Sequence, residues 1–257
     1  MMKVSQFWEL VFTKVQFNLK AEAKNSYLSY AWWILEPILF VGTFYLVFGV
    51  FMNTRTPDFL LFLICGKIPF LWFSRAIQNT TNSIVGGKGL MNQVAIPKIF
   101  FPVVVILQDL VKTSVVFILM LLFVWANGIE PHVNWLAIPV IMLSQLIFIS
   151  AVAILAAMVV PFIPDMKFII STFVLMLMFG SGIFYDYRDV ILPKHIDLYL
   201  LNPLANYLSM YRGVLLDNVL PNWYDLMMIS AISFLSLFVL VFILKKLDTV
   251  YPRLVLE

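Results

Sequence analysis

The chain has 257 residues, of which 62% are hydrophobic and 12% charged, with a mean hydropathy of +0.96. A soluble domain carries roughly 25% charged residues, so this composition excludes an ordinary soluble protein and indicates one that lies in a membrane. A net charge of +3 is too small to indicate a nucleic-acid partner, and with the single Cys65 and two distant histidines the sequence indicates neither an intrachain disulfide nor a metal site.

The first residues carry a periodic apolar pattern. Apolar side chains share one helical face, whereas Glu9, Thr13, Gln16 and Lys20 lie on the opposite face. The apolar positions are Val4, Phe7, Trp8, Val11, Phe12, Val15 and Leu19. A helix with one apolar and one basic polar face is suited to lie in a membrane interface. We predict such a cytoplasmic interface helix within residues 1–30; packing on the bundle alone is the alternative.

Six apolar segments are long enough, at about 20 residues, to cross the hydrocarbon core as helices. They are residues 31–52, 58–82, 100–126, 135–160, 167–184 and 224–244. The sequence therefore predicts an all-α integral membrane domain over residues 1–257. Because the number of spans is even, both termini are predicted to lie on the same side of the membrane.

Lysine and arginine are distributed unequally between the two sides of this domain. Ten lie on the side of the termini and four on the opposite side. The ten are Lys3, Lys14, Lys20, Lys24, Lys88, Lys98, Lys167, Lys245, Lys246 and Arg253, and the four are Arg55, Arg188, Lys194 and Arg212. Short cytoplasmic segments carry an excess of these residues, so we predict that both termini are cytoplasmic.

The external segment 185–223 is too apolar for a solvated loop and too interrupted, by Pro193, Asp197 and Arg212 among others, to span. After Asn202-Pro203 it resumes a helical stripe. We predict two short re-entrant helices before the last span. Non-helical backbone at that depth is tolerated only where protein or water covers it, which indicates the mouth of a pathway.

The stretch SIVGGKGLMNQVAIPK, residues 83–98, places glycines around a lysine as phosphate-binding loops do. A P-loop requires G-x-x-x-x-G-K-[ST] after a strand. Here Asn82 replaces the first glycine, Gly89 replaces the Ser or Thr, and a predicted membrane helix precedes the stretch. Residues 180–182 also do not match the G-x-S-x-G of a nucleophile elbow. The sequence therefore indicates neither a nucleotide site nor a catalytic site on this chain.

Ionisable residues inside a span cost ~2.5–3.5 kcal/mol each near its centre on insertion scales, so each requires a reason. Arg75 lies near the inner end of the second predicted span, and Asp109 and Lys112 lie three residues apart in the third, which places them on one face. We predict an Arg75–Asp109–Lys112 cluster that joins the two helices. Holding the bundle together is the preferred interpretation, and an ion or proton path is the alternative.

Aromatic residues form a strip in the first predicted span, at Phe44, Tyr45 and Phe48, and Trp72 follows Pro69 in the second. Flat rings with polar edges are suited to passing sugar rings without gripping them. Filling lipid-facing surface explains such residues equally well, so the spacing alone leaves both interpretations open.

An ordered set of short motifs resembles the ABC-2 type permeases, in particular the branch that exports lipid-linked polysaccharides such as O-antigen and capsule. The set comprises Ser26-x-Leu28-Ser29-Tyr30-x-Trp32 with Pro37, Gly66-Lys67-Ile68-Pro69-Phe70-Leu71-Trp72-Phe73, Ile96-Pro97 with Phe101-Pro102, Asp165, and Asn202-Pro203. It covers nearly the whole chain, and its order carries the resemblance because no single motif is specific.

The resemblance implies a homodimer with a channel at its interface and two copies of a separate ATPase subunit, which holds ATP and Mg; no cofactor is expected on this chain. It implies that residues 83–98 form a cytoplasmic coupling segment, with Gly87, Lys88 and Asn92, whose glycines permit a tight reversal. Asp165 and Lys167 would add a second contact. An arginine commonly precedes this aspartate in the family, whereas Pro164 stands here, so the details of that contact are open.

The channel wall implied by the resemblance includes Phe44, Tyr45, Phe48, Trp72 and Tyr185, with the 185–223 segment as its gate. The function implied is ATP-driven export of lipid-linked polysaccharide from cytoplasm to periplasm across the bacterial inner membrane, without enzymatic activity on this chain. A permease for drugs or lipids is one alternative, because fold does not fix cargo. A membrane-embedded enzyme of glycan assembly is another, and it would require polar clusters at one membrane face.

Overall fold

The computed structural model describes residues 3–25, 31, 35–36, 38–39, 42–43, 45–51, 59–94, 96–251 and 254. Helices and short connections make up this part of the chain, and no β-strand occurs in it. Its α-helices are α1 (Val4–Asn25), α2 (Phe59–Thr81), α3 (Ser83–Gly86), α4 (Lys88–Met91), α5 (Phe100–Ala126), α6 (Ile138–Val159), α7 (Met166–Gly180), α8 (Tyr187–Val190), α9 (Ile196–Leu200), α10 (Pro203–Leu215) and α11 (Trp223–Lys246). The prediction of an all-α protein is therefore confirmed.

In the part of the chain that the structure describes, four helices are long and apolar enough to cross a membrane. They are α2, α5, α11, and α6 extended by the 3₁₀ turn Val133–Ala137 that precedes it. Their bounds agree within two residues with the second, third, fourth and sixth predicted spans. The agreement is close because each span is a long apolar run bounded by polar or turn-forming residues.

Two predicted spans are not matched in this way. The first, residues 31–52, lies partly outside the described residues, and within it Tyr45–Phe51 form a π-helix. The fifth, residues 167–184, corresponds to α7, which has 15 residues and is about 22 Å long. Its predicted end was too late because the chain turns at Gly182, whose φ of +72° lies in the left-handed region that glycine tolerates.

Helix α2 lies at the centre of the bundle and packs against α5, α6, α7 and α10. In the most apolar 18-residue stretch of α2, 72% of the residues are buried within the chain. The corresponding share for α11, which packs against α6, is 17%. A helix that is apolar all round and buried by its neighbours is a core helix. Helix α11 therefore lies at the periphery of the chain, where most of its surface is left to lipid or to another chain.

Buried polar side chains fix the register of the central helices. The Gln145 amide donates to the Pro69 carbonyl and accepts from the Tyr211 hydroxyl, both at 2.9 Å. The neighbouring Ser144 hydroxyl bonds to that of Tyr207 at 2.7 Å. Hydrogen bonds between membrane helices contribute roughly 0.6–2 kcal/mol each. This network therefore holds α2, α6 and α10 in one rotational setting.

Helix α1 lies alongside α5 and runs in the same direction. The Phe7 and Phe100 rings pack edge to face at 6.3 Å, and further along the Asn18 amide donates to Gln108 at 3.2 Å. Part of its predicted apolar face, including Val11, is buried, whereas the rest stays exposed. The exposed apolar side chains include Val4, Trp8, Phe12 and Phe17. Residues 4–25 therefore form a helix as predicted, and its amphipathic placement in the interface stays a prediction.

Candidate functional site

Charged and polar side chains meet at one level of the bundle, which we term the polar layer. Its members are Asn18, Glu22, Glu36, Arg75, Asn79, Gln108, Asp109 and Lys112. Within it, the Lys112 ammonium donates to Glu22 at 2.7 Å. The two Asp109 oxygens accept from the Asn79 amide at 3.0 and 3.1 Å. The layer thus connects α1 to α5 and α5 to α2 through bonded pairs.

The pairs in the polar layer differ from the predicted Arg75–Asp109–Lys112 cluster. Arg75 pairs with Glu36, and Lys112 pairs with Glu22 of α1. Spacing within one helix indicated Asp109 as the partner of Lys112, but α1 lies alongside α5 and brings a carboxylate within bonding distance. The three predicted residues lie in the same layer and each bonds to a residue outside the predicted set.

Exchanging the charges of Glu22 and Lys112 is expected to preserve the packing of α1 on α5. Lys112→Glu alone places two carboxylates together in a partly buried site and should destabilise the purified protein by about 1–2 kcal/mol, most of which the Glu22→Lys/Lys112→Glu double variant should recover. Thermal unfolding midpoints measure this. The same exchange at Arg188 and Asp217, which lie 3.8 Å apart and are mostly exposed, is the control and should change little. A double variant no more stable than Lys112→Glu would contradict the pairing.

The segment 83–98 folds as two single-turn helices, α3 and α4, joined at Gly87. Gly87 has a right-handed conformation with φ of −75°, so its backbone does not use the left-handed region that glycine tolerates. What its missing side chain provides is space, because a Cβ atom here would fall on the Phe101 ring. Lys88 and Asn92 are exposed on the outer side of this turn. The segment therefore presents polar groups outward from a tightly packed base.

The C-terminal residues connect this segment with the loop after α6. The Lys98 backbone N–H donates to the Asp248 carboxylate at 2.6 Å. The Tyr251 ring packs against Phe162 at 5.4 Å, and its hydroxyl donates to the Met158 carbonyl at 3.2 Å. Burial raises the pKa of Tyr251 to about 12, so it remains a donor at neutral pH. The sequence did not indicate these tail residues, because an Asp and a Tyr in a polar tail carry no spacing signal.

Asp165 and Lys167 lie in and just after the loop between α6 and α7. Asp165 is exposed, and the Lys167 ammonium lies 4.9 Å from the centroid of the Phe168 ring. This loop and the 83–98 segment are both contacted by the C-terminal residues. The predicted coupling residues are therefore at the same end of the bundle.

The predicted channel residues are in different environments. Trp72 is 1% exposed and packs edge to face on Phe117 at 6.2 Å. It belongs to the core of a single chain and is not available to line an open path, which corrects that prediction. Tyr45 is exposed, and the half-buried Tyr185 donates to the Phe179 carbonyl at 3.2 Å. Phe44 and the side chain of Phe48 lie outside the described residues.

Arg212 forms a buried latch between α10, α2 and the turn after α7. Its guanidinium donates to the carbonyls of Phe62, Gly182 and Ile183 at 3.2, 2.7 and 2.9 Å. It also lies over the Phe62 ring, 3.4 Å from its centroid. A Cβ atom on Gly66 would collide with this guanidinium. The latch thus accounts for the glycine that opens the Gly-Lys-Ile-Pro motif.

The segment after α7 is held by hydrogen bonds to the start of α10. The Asn202 side chain accepts from the Leu204 N–H at 3.0 Å, and its amide donates to Ser181 at 3.0 Å. Asn followed by proline is favourable at a helix start, since Asn caps the free N–H groups and proline fits the first turn. The Asn202-Pro203 motif therefore begins α10 and ties it to the turn after α7.

Similarity to known proteins identifies the family of this chain. No protein-family profile matches the chain. The O-antigen export system permease protein RfbA of Myxococcus xanthus is 30% identical over 230 residues, which cover 89% of this chain and 88% of that protein. This chain belongs to the ABC-2 family of polysaccharide export permeases.

Other relatives of this ABC-2 permease support the same family assignment. The O-antigen export system permease protein RfbA of Klebsiella pneumoniae is 26% identical over 204 residues, covering 79% of this chain and 78% of that protein. The polysialic acid transport protein KpsM of Escherichia coli is 28% identical over 216 residues, covering 82% and 83%. These relatives are transport proteins, and the prediction of a transport subunit rather than an enzyme is confirmed.

Proposed function

We propose that this permease is the membrane subunit of an ATP-driven exporter that moves lipid-linked polysaccharide of the O-antigen or capsule type from the cytoplasm to the periplasm. The observation that carries this proposal is the similarity to O-antigen export permeases over nearly nine-tenths of both chains. The alternative cargoes, drugs or lipids, are not favoured by these relatives, and neither is an enzyme of glycan assembly.

The proposed arrangement is a multi-pass protein of the bacterial inner membrane with six spans and cytoplasmic termini. The four spanning helices support it, together with the apolar α7 and the apolar composition of residues 31–52. Residues 185–223 would re-enter the outer leaflet as the gate. The asymmetry of lysine and arginine supports the orientation.

The proposed partner is an ABC ATPase, present in two copies beneath a homodimer of this permease, and ATP and Mg would be held by the ATPase. Its docking surface would be the exposed side of the 83–98 segment, with Lys88 and Asn92, and the loop with Asp165 and Lys167. The tail contacts described above join these two sites. A movement imposed on one would therefore be transmitted to the other and, through Phe101, to α5.

The proposed cargo path runs between the two permease copies. Phe44, Tyr45 and Phe48 of the first predicted span, with Tyr185 near its outer end, would supply aromatic surface. The exposure of Tyr45 supports this placement. Weak contacts with flat rings suit a path that many successive sugars have to traverse.

Deleting the gene tests the proposal. We expect long lipid-linked polymer to accumulate on the cytoplasmic side, detected by mass spectrometry of extracted glycolipids, and to disappear when the gene is restored on a plasmid. Unchanged glycolipids in a strain that still makes the polymer would contradict polysaccharide export. Greater sensitivity to a lipophilic compound without accumulation would favour the drug or lipid cargo.

A further inference from the structure

A groove of about 480 Å³ opens at the surface of the bundle between α6 and α11, and α9 and α10 close one end. We term it the α6–α11 groove. Its lining on α11 extends from Asp225 to Leu240, a distance of about 22 Å at 1.5 Å per residue. Its walls are mainly apolar, with Phe148 and Leu155 on the α6 side. At its rim Leu155 is 47% and Ile232 60% exposed, so the groove is open along its length and accessible to a lipid from the side.

Two polar side chains in this groove lack partners. Asn206 is 8% exposed and Ser233 is 5% exposed, and both line the groove. Within the described ranges, neither side chain has a hydrogen bond. Their polar atoms face an apolar groove, where an amide or hydroxyl is unfavourable unless it finds a hydrogen-bonding partner. Two such groups in one open groove therefore point to a ligand that supplies hydrogen-bonding atoms.

The closed end of the groove carries two carboxylates, Asp197 of α9 and Asp225 in the first turn of α11. Asp225 accepts from the Asn222 amide at 2.8 Å. Neither carboxylate forms an ion pair with any residue in the described part of the chain. An acidic end above an apolar trough fits a positively charged group attached to a hydrocarbon tail, and it disfavours an anionic headgroup.

We propose that the α6–α11 groove binds a phospholipid with a primary ammonium headgroup, of the phosphatidylethanolamine type. The ammonium lies at Asp197 and Asp225, where its N–H groups form charge-assisted hydrogen bonds. The ester region lies near Asn206 and Ser233, and one acyl chain follows the apolar walls. Of the groove's length of about 22 Å, roughly 12 Å lies between Asp225 and Ser233 and holds the headgroup and ester region, and the remaining ~10 Å to Leu240 holds the first part of one acyl chain. The lipid would fasten the peripheral helix α11 to α6 and to α10.

Native mass spectrometry of the purified full-length permease, incubated with equal amounts of phosphatidylethanolamine, phosphatidylglycerol and phosphatidylcholine, tests this. We expect retained phosphatidylethanolamine to exceed the other two by roughly tenfold or more, the effect of one charge-assisted hydrogen bond. Phosphatidylcholine is the sharpest comparison because its headgroup is zwitterionic but has no N–H donor. The Asp197→Asn/Asp225→Asn variant should lose the preference, whereas Asp189→Asn, an exposed carboxylate outside the groove, should keep it.

A second pair of variants tests the groove itself. Ser233→Phe should fill it and remove the bound lipid, whereas Ser233→Ala should leave it open. Equal retention of the three lipids by the wild-type chain, or a preference that survives in the Asp197→Asn/Asp225→Asn variant, would overturn the proposal. So would an intermolecular disulfide formed in membranes by Met228→Cys, which would show a second copy over the groove; the natural Cys65 is buried. None of these readouts depends on glycan export, so the two proposals fail separately.

Discussion

Replacing Arg212 with methionine is expected to lower the thermal unfolding midpoint of the purified permease by roughly 6–12 °C. The guanidinium donates to three backbone carbonyls in a buried site, and methionine fills similar volume without a donor. Leaving those acceptors unsatisfied should cost at least ~3 kcal/mol, at ~2–4 °C per kcal/mol for a chain of this size. Arg212→Lys should rescue little, because an ammonium group does not reproduce the planar fork.

The control for this variant is Arg188→Met, which removes an exposed arginine from the same segment and should change the midpoint by little. Gly66→Ala adds a sharper test. In the wild-type chain the new methyl group collides with the Arg212 guanidinium, which the carbonyls hold in place, so the change should be destabilising. In the Arg212→Met background the same change should cost much less. Additive effects of the two changes would contradict the latch.

Gly87→Ala is expected to abolish most glycan export while leaving the protein inserted and folded. The added methyl group falls on the Phe101 ring, which is buried against Phe100 at 5.6 Å and has little room to move. The exposed segment 83–91 must shift instead. Overpacking of this kind costs ~1–3 kcal/mol, which corresponds to a roughly 5–150-fold weaker contact with the ATPase. Polymer export and co-purification of the ATPase in the complemented deletion strain measure this.

The neighbouring glycines supply matched controls for Gly87. A Cβ atom at Gly86 or at Gly89 would meet nothing within 4 Å. Gly86→Ala and Gly89→Ala should therefore support export close to the wild-type level, although all three changes increase helix propensity similarly. Equal loss of export in the three variants would show that flexibility, and not the packing on Phe101, is what the segment requires.

The spanning helices were predictable because lipid imposes a length and a composition that a single sequence displays. The end of α7 was not, because apolar residues continue to Phe184 while the turn at Gly182 is fixed by Arg212, 30 residues later. The side of α2 that Trp72 occupies was also not predictable. Residues 68–73 of α2, around Trp72, are all apolar, so the sequence does not distinguish the face toward α5 from a face toward a path.

In the polar layer, too, the positions of the residues along their helices were predictable and their partners were not. The sequence placed Arg75, Asp109 and Lys112 at similar depth, and all three belong to bonded pairs of the polar layer. Their partners depend on how α1 lies along α5, which local spacing does not specify. The α6–α11 groove, the contacts of the C-terminal residues and the Arg212 latch likewise depend on elements that are distant in sequence. Short-range patterns therefore gave the elements, and long-range packing decided the contacts.

The short α7 also bears on the bilayer beside it. It has 15 residues and is about 22 Å long at 1.5 Å per residue. A bilayer with a ~30 Å core would thin beside α7, at a fraction of a kcal/mol per Å of hydrophobic mismatch. Such thinning would shorten the insulating barrier beside a hydrophilic polymer by about a quarter.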